Sequence, residues 1–126
     1  MAWKPISEAD LIGEINESRQ RMNLPQRRFW DFICVEPQKW SLHPYGDEGG
    51  GFWVVGLVGR SVVWFNDIED GFQRSHYSHL GEIEEYRCNE DNLEWVVQAL
   101  MNALETGHDP GPFAGPPQPY DPPRHT

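Results

Sequence analysis

Gly59-Arg60 stands between two runs of residues that suit a pleated, mostly buried surface, 52–58 and 61–65. A two-residue Gly-X connection matches a type II′ turn, in which glycine supplies the positive φ that closes a hairpin. No other stretch constrains the chain as tightly, because this turn sets register as well as topology. It places Val58 opposite Ser61, Leu57 opposite Val62, Gly56 opposite Val63 and Val55 opposite Trp64. The hairpin then runs into a polar knot, Asn66-Asp67-Ile68-Glu69-Asp70-Gly71. A buried hairpin is thus expected to deliver carboxylates to the surface.

Upstream, Ser7 reads as the N-cap of a helix over about 7–22, with Glu8 and Asp10 in its first turn, where the dipole favours negative charge. Leu11, Ile12, Ile15 and Met22 share one side at helical spacing, and Glu14, Glu17 and Arg21 turn away. Gly13 either weakens this helix or marks close packing against a sheet. Asn23-Leu24-Pro25 ends it. Four arginines (19, 21, 27 and 28) form the chain's one basic patch, which suits a helix C-terminus. Residues 29–35 are apolar on both faces and read as a strand broken at Pro37, with a second short strand at 40–43. The glycine-rich connection 45–51 lacks the Lys and the following helix of a phosphate loop.

Beyond the knot, 72–80 reads as an irregular segment or short helix carrying His76 and His79, and 82–88 as a half-exposed edge strand guarded by three Glu. Asn89 is expected to cap a second helix, with Leu93, Val96, Val97, Leu100 and Leu104 as its buried stripe and Gly107 as its stop. Trp53, Trp64 and Trp95 are assigned to core and helix-on-sheet packing. Residues 108–126 hold seven of the eleven prolines and read as an extended or disordered tail. Its Pro117-Gln-Pro119-Tyr120 misses the WW-domain ligand form by one place.

Without helical crossovers between strands, the sheet should be largely antiparallel. The expectation is one α+β domain over 1–107: two layers, a four- or five-stranded sheet, and N- and C-terminal helices packed on it.

The chain carries a net charge of −10. Such a surface repels phosphate backbones and anionic bilayers, so neither nucleic acid nor membrane is expected as a partner, and a basic protein is. No apolar run has the length of a membrane span and 1–7 has no signal-peptide core, which points to the cytoplasm, with Cys34 and Cys88 reduced and partly buried. Between Asp67 and Glu94 nine carboxylates face only Arg74 and Arg87, a local −7. Solvated faces explain each acid singly; gathered together, Asp67, Glu69, Asp70, Glu82, Glu84 and Glu85 are the candidate partner-binding residues.

Chemistry is less well served. The EF-hand spacing fails, since it would put Ile68 at a ligand position and Tyr77 where the bidentate Glu belongs. His76-x-x-His79 lacks further ligands of zinc type. A small metal-dependent enzyme using Asp67, Glu69, Asp70, His76 and His79 stays as an alternative, and a homodimer built through the hairpin or edge strand as another; no nucleophile motif and no cofactor is assigned.

Residues 63–72 (Val-Trp-Phe-Asn-Asp-Ile-Glu-Asp-Gly-Phe), with Gly81-Glu-Ile-Glu-Glu-Tyr86 and Asn89-Glu-Asp-Asn-Leu-Glu-Trp95, resemble a group of small acidic bacterial proteins. Some of that group are similar to immunity proteins of polymorphic toxin systems. The resemblance spans about half the chain and implies a non-enzymatic binder of a basic partner such as a toxin domain. It brings no catalytic residues.

Overall fold

The hairpin turn forms as its sequence requires, with Gly59 at φ 56°. Around it, the computed structural model describes residues 3–107; the Pro-rich stretch 108–126 lies outside the described residues. In chain order the elements are α1 (Glu8–Arg21), α2 (Leu24–Ile33), β1 (Cys34–Trp40), a single 3-10 turn (Asp47–Gly49), β2 (Phe52–Val58), β3 (Ser61–Asn66), β4 (Gly71–His76) and α3 (Leu93–Thr106). The strands form an antiparallel meander in the order β1-β2-β3-β4. The α+β class and the antiparallel sheet are as expected.

Register holds from the turn as far as Gly56↔Val63 and then shifts: Val54, not Val55, lies opposite Trp64. Val55 is the extra residue of a bulge. Gly56 sits at that bulge beneath the Trp30 ring, which lies 3.1 Å from where a Cβ would be. A side chain on residue 56 would push α2 off the sheet.

Strand alternation splits the interior into two cores on opposite faces. On one face Val55, Val63, Phe65 and Phe72 meet Leu11, Trp30, Ile33, Leu93, Val96, Val97 and Leu100 from the three helices. On the other, Phe52, Val54, Val62 and Trp64 meet Trp40, Leu42 and Ile83, with Trp3, Tyr77 and Tyr86 packed around them. Irregular chain, rather than a helix, covers that second face.

Several expectations are corrected. Residues 29–33 belong to α2, not to a strand. Asn23-Leu24-Pro25 does end α1, but it also starts the next helix: Asn23 and Gln26 make a capping box, and Pro25 stands in the first turn, where its missing N–H costs nothing. A short apolar run cannot distinguish the two readings by itself. β1 continues through Pro37, which an edge strand tolerates, with a register irregularity between Cys34 and Gln38. Residues 71–76 form β4 instead of an irregular segment. Residues 82–88 are not a strand; only Glu82 makes a bridge, to Ser41.

α3 starts at Leu93 after Asn92, because Asn89 and Asp91 are engaged against β4 instead of capping. Nothing approaches the site of a Gly13 side chain, so that glycine marks no close packing. Ile12, Leu104 and Trp95, expected in the core, are exposed, and so is Cys34; both cysteines are free thiols.

Candidate functional site

The polar knot is the β3–β4 turn. Asn66 organises it from a fully buried position: its Oδ1 accepts the backbone N–H of Ile68 (3.0 Å) and of Glu69 (3.2 Å), and its Nδ2 donates to the Arg87 carbonyl (2.8 Å). This is the Asx-type bonding that suits Asn at a turn start. Asp70 takes the left-handed region, φ 60°, and Gly71 follows because a Cβ there would lie 2.1 Å from the Asn89 carbonyl oxygen. The turn's shape is therefore dictated from both sides.

Asp67 strapped to the N-terminal segment was not foreseen. Its Oδ2 accepts the Ile6 N–H at 2.8 Å, the Trp53 indole N–H donates to the Ile6 carbonyl at 3.0 Å, and Trp3 stacks on Phe52 with centroids 5.4 Å apart. Its other oxygen, Oδ1, is buried and has no hydrogen-bond partner. An open cleft of about 470 Å³ lies between strap and turn, lined by Lys4, Pro5, Ile6, Ser7, Asp10, Phe65, Asp67 and Asp70.

The strap leads into α1, and α1 adds acids that the sequence reading had set aside as merely turned outward. Asp10, Glu14 and Glu17 recur at i, i+4 and i+7 on one exposed side. The Glu14 carboxyl is pushed above its ordinary range, first by partial burial and then by the charges of Glu17, Asp70 and Asp10, against the opposing charge of Arg21. Asp70 of the turn and three acids of α1 thus share one electrostatic field. The spacing was visible in the sequence; the approach of α1 to the β3–β4 turn was not.

The remaining predicted residues lie elsewhere. Glu82, Glu84 and Glu85 gather near His76, at the far end of β4; five residues of β3 separate Asn66 from Ser61, roughly 17 Å at strand rise. There the acids are compensated. Glu85 Oε1 accepts the His76 backbone N–H (2.8 Å) and pairs with His76 Nδ1 (2.9 Å), and Glu85 Oε2 pairs with Arg87 (2.5 Å). Glu84 takes the Ser78 hydroxyl, and Glu82 lies 3.8 Å from His79. Arg60 joins Ser61, His76, Glu84 and Glu85 around an open cleft of about 540 Å³. His76 and His79 therefore lie against different carboxylates. Among the described residues, no three His, Cys, Asp or Glu side chains are grouped to hold a metal ion.

Glu69, exposed on the turn, reaches a third place. The Tyr86 phenol is held above its ordinary range mainly by burial, and the Glu69 charge adds to this while a bond with Asn66 opposes it. The single acidic surface read from 67–94 is thus divided, with its uncompensated part around Asp70, Asp10, Glu14 and Glu17.

No family model, curated protein or solved structure matches the chain.

Proposed function

We propose that the protein is a non-enzymatic, immunity-like binding module that engages a basic protein partner, such as a toxin domain, through the acidic side formed by α1 and the β3–β4 turn. The observation that carries this reading is the raised Glu14 carboxyl, an index of like charges held together at a cost in stability. Such crowding is relieved when cations of a partner arrive, and the field accelerates their encounter. Asp67 and Glu69 flank this side, and Glu82, Glu84 and Glu85 are secondary contacts. The residue types that would support metal or nucleophile chemistry are instead engaged in local pairs.

An oligolysine peptide serves as the probe for this acidic side. The double variant Glu14→Lys, Asp70→Lys should weaken its binding at low salt by about tenfold, whereas Glu84→Lys should change it by less than about threefold. Equal binding by the double variant and the unaltered protein would contradict the proposal. Self-association is the competing reading; a dimeric mass at high concentration, lost in the double variant, would assign this surface to a second copy.

A further inference from the structure

α3 is amphipathic, and its inward positions behave as the spacing predicts: Leu93, Val96, Val97 and Leu100 are buried. Its outward side carries Trp95, which is 62% exposed. A large aromatic side chain left in water at the middle of a helix face is not needed for folding, and Trp is the side chain most enriched where binding energy concentrates.

Its surroundings are specific. Glu94 reaches sideways to α1, where Arg21 donates to it through Nε at 2.6 Å and Nη2 at 3.3 Å. Gln98 reaches α2 and accepts from Gln26 at 3.0 Å. These two links bind the helices together on either side of Trp95 in sequence, and on either side of Leu24, which is 58% exposed at the start of α2. They make a rigid, three-helix platform, the kind of support that spares ordering entropy on binding. Exposed Glu90 and Asp91 stand just before the N-terminus of α3, with Asp91 one turn from Trp95. The acidic stripe of α1 runs toward the same place and ends at Arg21, the partner of Glu94.

Resting on the binding reading above, we infer that Trp95, with Leu24 beside the same helix junction, is the apolar anchor of the interface, and that its partner is a basic protein surface bearing an apolar side chain next to Lys or Arg. Charge complementarity selects that occupant: carboxylates of Glu90 and Asp91 flank the indole, and a cation held by them lies within reach of its face, where cation–π attraction adds to the ion pair. A second copy of this chain is disfavoured by the same charges, since it would bring carboxylates against carboxylates.

Two probes separate the parts. One is oligolysine; the other is a helical Lys/Leu peptide of equal charge with its leucines on one face. The protein should bind the Lys/Leu peptide about tenfold more tightly than oligolysine, and Trp95→Ala should abolish that difference while leaving oligolysine affinity within about twofold. Indole emission should shift to shorter wavelength with the Lys/Leu peptide and not in Trp95→Phe. If Trp95→Ala leaves the preference intact, the anchor inference fails although the acidic reading stands. If neither peptide binds at low salt, the acidic reading itself fails. A Trp95-dependent dimer in solution would overturn the inference in favour of a second copy. Thermal melts of the Trp95 variants should match that of the parent, as befits an exposed position.

Discussion

Gln73 holds Asn89 from both sides: its Oε1 accepts the Asn89 N–H at 3.1 Å and its Nε2 donates to the Asn89 carbonyl. One fully buried amide side chain therefore replaces the backbone ladder that a fifth strand would make. Ser75, donating to the Glu85 carbonyl at 2.7 Å, and Asn66, donating to the Arg87 carbonyl, extend the same device. Backbone bonds close it at the ends, from Glu84 to His76 and from Phe72 to Asp91. Gln73→Ala removes both bonds and leaves buried backbone groups unpaired, so it should destabilise the protein by about 2–3 kcal/mol in denaturant unfolding. A loss below about 0.5 kcal/mol would show that residues 82–91 are held by something else.

Arg21 and Glu94 tie α1 to α3. Burial alone would raise the Glu94 carboxyl, but hydrogen bonds from Arg21 and Ser18, a backbone bond and the Arg21 charge together hold it below its ordinary range. A depressed carboxylate stabilises the fold above its unfolded-state value, near 4.3, and that contribution is lost as pH falls through the lower folded value. Glu94→Gln should therefore cost roughly 1–2 kcal/mol at neutral pH, the low end for a charged hydrogen bond because Arg21 is half exposed, and little near pH 2. A penalty unchanged down to pH 2 would mean that shape, not charge, is what Glu94 supplies.

Glu14 has the opposite sign. Its raised carboxyl favours the folded state below the unfolded-state value, and that advantage is lost as pH rises through the folded one. Glu14→Gln should stabilise the protein at pH 7 by up to about 0.5 kcal/mol, an exposed-site magnitude, and the gain should shrink in salt and in acid. Destabilisation by this substitution at pH 7 would remove the crowding on which the functional proposal rests.

The sequence carried the hairpin, the outer helices and the fold class because each has a strong local signal. The Gly59-Arg60 turn, the Ser7 cap and the Leu93–Leu100 stripe are read without knowing what they pack against. β4 was hidden for a physical reason: its buried side is polar, with Gln73 and Ser75 satisfied by backbone that arrives from residues 85–89. A search for apolar alternation does not find such a strand. α2 was hidden by the opposite fault, since its apolar run suits either element and only the Asn23–Gln26 capping box decides. The acidic site was half legible. Asp70 and its neighbours on the turn were marked by composition, but the contribution of α1 depends on a tertiary approach, and the compensation of Glu85 by His76 and Arg87 depends on chain reversal after β4.

Asp67 has a separate role in this arrangement. Because it pins Ile6, Asp67→Ala should loosen the strap, speed amide exchange at Ile6 and lower stability by about 1 kcal/mol, with Trp3 becoming more accessible to quenchers. Unaltered exchange at Ile6 would show that Trp3 and Trp53 suffice to hold the segment.

The central claim is that α1 and the β3–β4 turn form a field that captures a basic surface. Its most direct test is the salt dependence of Lys/Leu-peptide affinity for the intact protein and for Glu14→Lys, Asp70→Lys. The intact protein should lose about tenfold in affinity between roughly 0.05 and 0.2 M salt, and the double variant should lose little. A flat salt response in the intact protein, or the same slope in both, would contradict the account.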